Sequence, residues 1–77
     1  MKREQCRAGA RSLMSKAKRH ETCAETLAAT AQMFVQHGNR HAATQTVRAC
    51  HLHRVWALQA KAQAQALLMS GQGSPDL

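Results

Sequence analysis

His20 and Cys23 stand three residues apart, and so do Cys50 and His53. On helices, that spacing puts both members of a pair on one face. Two such pairs on facing helices could supply the four N/S ligands of a tetrahedral structural zinc. Whether they meet depends on register. A hairpin folded about residues 38–39 sets residue 50 opposite residue 27 and residue 43 opposite residue 34. His20 and Cys23 then miss Cys50 and His53 by one helical turn, ~5 Å. The expectation is therefore no metal site, with a small buried cysteine and partly exposed histidines in a helical interface. His37, His41 and His51 add titratable groups without a carboxylate or nucleophile at a defined place.

The elements that would position these residues are helices. His37-Gly38-Asn39-Arg40 is the one turn signal between residues 10 and 70. Gly and Asn are the residues that most readily take φ > 0 at a helix stop. Before the turn, Cys6, Ala10, Leu13, Met14, Ala17, Ala24, Leu27, Ala28, Ala31, Phe34 and Val35 recur at intervals of three, four and seven. That predicts a helix over about 4–37. Gly9 weakens its first turns. Thr22 with Glu25 forms a potential capping box that would divide the helix near 20–22. The stripe keeps phase across residue 20, which favours continuity. Asn39 is a suitable N-cap for a second helix over about 40–70, which Gly71 ends. Residues 71–77 read as a disordered tail. The fold class is all-α: one long antiparallel hairpin module over residues 1–70.

Seventy-seven residues with one Phe, one Trp and no Tyr give a thin, alanine-based core. A chain of this size buries only about 60% of its unfolded surface. On the second helix Ala49, Leu52, Trp56, Ala60 and Leu67 form one stripe, and Ala43, Val47, Cys50 and Leu58 a second. One stripe can pack on the first helix, and the other is left for an oligomer mate or a helical protein partner. Leu27, Phe34, Val47, Leu52, Trp56 and Leu58 are the residues expected to be buried. Val47, Leu52, Trp56 and Leu58 are the expected partner-binding set.

The net charge of +7 concentrates in the basic segment 1–19, where Lys2, Arg3, Arg7, Arg11, Lys16, Lys18 and Arg19 face Glu4 alone. Arg7, Arg11, Lys18 and Arg19 are candidate docking charges for an acidic neighbour. Non-specific nucleic-acid contact through residues 2–19 is one form of this. Sequence-specific single-strand recognition would want stacking aromatics, and Trp56 is alone and far from that segment. Three cysteines in no disulfide framework, with no secretory signal, point to an intracellular and cytoplasmic setting. Glu4 and Glu21 argue against a mitochondrial transit peptide. No apolar run reaches the ~20 residues of a transmembrane helix.

Nothing forms a catalytic unit: Glu4, Glu21, Glu25 and Asp76 are the only side-chain carboxylates. No phosphate loop or nucleophile motif is present, and two helices enclose no enzymatic pocket. The expectation is a non-enzyme without a cofactor.

Leu27, Ala31, Phe34, Gly38, Ala43, Val47 and Cys50 fall at the intervals of one tetratricopeptide-repeat hairpin. Over residues 24–55 the chain resembles a single such unit. Val55 stands where that repeat has its terminating proline, and the second helix runs on beyond it. Only one copy is present, and such units cannot bury their faces alone, which excludes a ligand-binding repeat array. The resemblance implies close antiparallel packing at Ala31 and Ala43 and an affinity for other helices. The expected function is a helical protein–protein interaction module of adaptor, subunit or co-chaperone type. The alternatives are a basic ribonucleoprotein accessory protein and a zinc-stapled hairpin.

Overall fold

The computed structural model describes residues 2–72. Helix α1 spans Arg3–Gln36 and helix α2 spans Arg40–Gln72, packed antiparallel as a rod of 61 × 14 × 11 Å. Among the described residues no strand is present, and no helix is long and apolar enough to cross a membrane.

The turn follows from its residue types. Gly38 takes φ +77°, where any Cβ is strained. Its N–H donates to the Val35 carbonyl (3.0 Å) and the Asn39 N–H to the Phe34 carbonyl (2.8 Å). This crossed pair is a Schellman stop, which satisfies two of the carbonyls that a helix end leaves bare. Asn39 then caps α2, its Oδ1 accepting from the Ala42 N–H at 3.1 Å.

Helix α1 is continuous through residues 20–22. Thr22 does not cap a new helix: its hydroxyl donates back to the Lys18 carbonyl at 3.0 Å. Thr26 and Thr30 repeat that bond to the carbonyls of Thr22 and Thr26. A threonine so bonded stays within helical geometry. Gly9 does not interrupt the helix either. A Cβ there would lie 3.0 Å from Leu67 Cδ1, the end of a flexible side chain on α2, a contact that a small shift of that side chain relieves. Helix α2 runs through Gly71 to Gln72, two residues past its expected end, and the rest of the expected tail, residues 73–77, lies outside the described residues.

The core is almost entirely alanine. Ala10, Ala17, Ala24 and Ala31 on α1 and Ala43, Cys50, Ala57 and Ala64 on α2 each recur every seventh residue, and all are buried. Cys6 and Ala60 complete the set. A strict seven-residue repeat keeps one seam facing the partner helix through a left-handed supercoil. The small side chains let the backbones approach closely. This corrects the expectation that bulky residues fill the core. Leu27 and Phe34 are only half-buried, and Val47 (55% exposed), Leu52 (49%), Trp56 (42%) and Leu58 (65%) are open to solvent. A seam this narrow has no room for them.

The repeat also sets the register, and it differs from the expected one. The buried Cys50 thiol donates to the Ala24 carbonyl at 3.2 Å, so residue 50 lies level with residue 24 and not residue 27. Ala17 packs with Ala57 and Ala60. Ala57 stands opposite Ala17 at this register and Ala60 at the expected one, so the offset is less than one turn and follows the pairing of the small residues at every seventh position.

Candidate interaction face and histidine pair

The corrected register brings together two residues that the expected one kept apart. His20 Nδ1 and His53 Nδ1 are 2.8 Å apart, a hydrogen bond in which one ring donates and the other accepts. The ring centroids are 5.1 Å apart. Trp56 closes the cluster, 5.4 Å from His20 and edge-on to His53 at 5.1 Å. Desolvation lowers the pKa of His20, and the nearby His53, Lys16 and Arg19 push it the same way. The pair therefore favours a form with His20 uncharged.

The four-ligand zinc set is not assembled. Cys23 points to solvent, and Cys50 is buried against Ala24. Among the described residues no group of three or more His, Cys, Asp or Glu side chains is placed to hold a metal ion. Of the four candidates, only His20 and His53 meet.

The two long sides of the rod differ in chemistry. One side holds the histidine pair and a groove of about 330 Å³ lined by Lys16, His20, Trp56 and Ala60, with Gln59 and Gln63. Leu13 and Leu27 stand seven residues on either side of His20, so they share its face, and both are half-buried. Leu52 precedes Trp56 by one turn and continues the same side. The opposite side carries the charge. Arg11, Met14, Lys18, Glu21 and Lys61 line one groove there, and Lys61 pairs with Glu21 at 2.6 Å. Glu25, Arg54 and Leu58 line the next groove along, and Glu4, seven residues before Arg11, falls on the same side. Among the described residues all three carboxylates therefore lie away from the histidine face.

The expected partner-binding set splits between these sides. Leu52 and Trp56 belong to the histidine face. Val47, which lines a shallow groove with Val35, Arg40 and Arg48, and Leu58 belong to the charged face. The docking charges split too. Arg11 and Lys18 share the charged face, with Arg7 one turn before Arg11, while Arg19 projects beside His20. The expected register kept His20 and His53 apart, and the three-and-four spacing placed Leu13 on the packing stripe of α1 rather than on an outer face with His20. The signal that would have found both is the small residue at every seventh position of both helices, alanine throughout on α1 and alanine or Cys50 on α2, which sets the register independently of the turn. Comparison of the chain with family models, curated proteins and solved structures gives no match.

Proposed function

We infer that this chain is a non-enzymatic helical interaction module whose docking surface is the histidine face. The observation that carries the reading is the contrast between its core and that face. The seam between the helices buries only alanine and cysteine, while Trp56 and Leu52 stay nearly half exposed on a side without a carboxylate. Burying alanine contributes little transfer free energy, and an exposed tryptophan flanked by leucines is the composition of an interface anchor. The experiment is calorimetric and hydrodynamic. A hairpin in need of a partner unfolds with low cooperativity when it is dilute, and its thermal midpoint rises on association. A dilute monomer with a sharp transition at high temperature overturns the reading.

A second reading uses the opposite side. Arg7, Arg11 and Lys18 present cations along one exposed line, which suits phosphate neutralisation by the basic segment. It predicts nucleic-acid binding whose affinity falls steeply with salt and which is lost in the triple variant Arg7→Gln/Arg11→Gln/Lys18→Gln. No binding to mixed RNA and DNA at low salt overturns it.

A further inference from the structure

We propose that the partner of the histidine face is a second copy of this chain. It docks antiparallel about a twofold axis level with His20 and His53, and the two hairpins close a four-helix bundle. This rests on the interaction-module reading and names its occupant.

Three observations carry it. The first is area. The chain exposes 5854 Å², whereas a compact monomer of 8.5 kDa would expose about 4,700 Å². The excess, about 1,200 Å², is spread along the rod; a standard stable interface takes ~800 Å² from each partner. A rod 61 Å long and 11–14 Å across cannot reduce that surface alone, but a second rod laid along it can.

The second is self-complementary spacing. Leu13 and Leu27 are equidistant from His20, so an axis at His20 sets Leu13 of one copy against Leu27 of the other. On α2 the residues seven either side of His53 are Thr46 and Ala60, both small. Each layer of the face thus holds one bulky and one small side chain, and the antiparallel axis repeats that order in both copies. The two histidine pairs meet at the centre, with Trp56 beside them.

The third is charge. The histidine face carries Lys16 and Arg19 with no carboxylate to offset them. A parallel arrangement would lay the basic segments of both copies, seven cations and Glu4 in each, side by side. The antiparallel arrangement puts those segments at opposite ends of the bundle. On the face itself the two Lys16 residues lie about 12 Å apart along the axis and the two Arg19 residues about 3 Å, so the relief comes from the outer cations of each segment, Lys2 to Arg11.

The test is the mass of the full chain by sedimentation equilibrium across a concentration series. Orientation is then read by pulsed electron-spin spectroscopy on a Lys2→Cys/Cys23→Ser variant, in which Cys6 and Cys50 are buried from the label. The expected mass is twice 8.5 kDa, and the expected label separation is about 54 Å from the helical rise over residues 2–20 of both copies. Trp56→Glu should weaken dimerisation at least tenfold, while Leu58→Glu on the charged face should leave it unchanged. A dimer with labels closer than about 25 Å overturns the antiparallel axis, since the helical rise then allows no such span. Equal effects of both substitutions overturn the choice of face. A monomer with a weak, broad transition overturns the second copy and leaves the interaction-module reading, with a heterologous helix as occupant. A monomer with a sharp, high transition overturns both.

Discussion

The Nδ1 atoms of His20 and His53, thirty-three residues apart in the chain, share one hydrogen bond of 2.8 Å at the middle of the hairpin. One ring must present a bare nitrogen to the other's N–H, so the contact exists only while at least one histidine is uncharged. Lys16 and Arg19 from α1 and His53 from α2 face His20, and all disfavour its protonation.

Stability should therefore fall on acidification. His20 titrates below the ordinary histidine value of 6.5 when folded. Above that value both folded and unfolded chains hold it neutral, and the contribution is fully present. As pH drops below it, the unfolded chain takes up the proton first, and stability declines until the depressed folded value is reached. Chemical denaturation between pH 8 and pH 5 checks this. The slope below neutrality should flatten in His20→Asn, and an unchanged slope would refute the assignment.

Overpacking the seam should be costly. Ala17 is fully buried and packs on Ala57 and Ala60. Ala17→Leu should lower stability by about 1–3 kcal/mol or force the helices apart. Ala29→Leu, on the exposed side of the same helix, should change it by less than about 0.5 kcal/mol. Urea midpoints of the two variants decide.

The two described glycines with a defined environment should respond in opposite directions. Gly38→Ala forces a Cβ into the left-handed region at φ +77° and should cost about 1–2 kcal/mol. Gly9→Ala gains helix propensity of about 0.5–1 kcal/mol, less the small shift its contact with Leu67 Cδ1 demands. A net gain is expected, and it should grow when Leu67 is also cut back to alanine. Thermal midpoints of the single and double variants measure both effects.

Thiol labelling should be stepwise. Cys23 is exposed, whereas Cys6 and Cys50 are buried, the latter with its thiol on the Ala24 carbonyl. One equivalent of a chromogenic disulfide reagent should react at once under native conditions, and two more only as the chain unfolds. Immediate reaction of all three would mean that the seam opens readily.

The local features were legible in the residues themselves. Gly38 and Asn39 could only be a stop and a cap, and helices on either side follow from the three-and-four spacing of small and apolar side chains. Propensity, capping and left-handed φ act over four or five residues, so reading one chain is enough. Thr22 is the local exception. Cap and back-bond are both available to its hydroxyl, and only the continuing α1 seam against α2 selects the second.

The register lay beyond local reasoning. The turn suggested residue 50 against residue 27, while the helices settled with Cys50 against Ala24 because small residues at every seventh position on both sides offer the closest backbone approach. That choice sent Trp56, Leu52, Val47 and Leu58 outward and brought His20 to His53. The sequence by itself determined two helices, their turn and the basic segment. Tertiary packing decided which faces meet, since close approach is a property of two surfaces together and neither helix holds it alone.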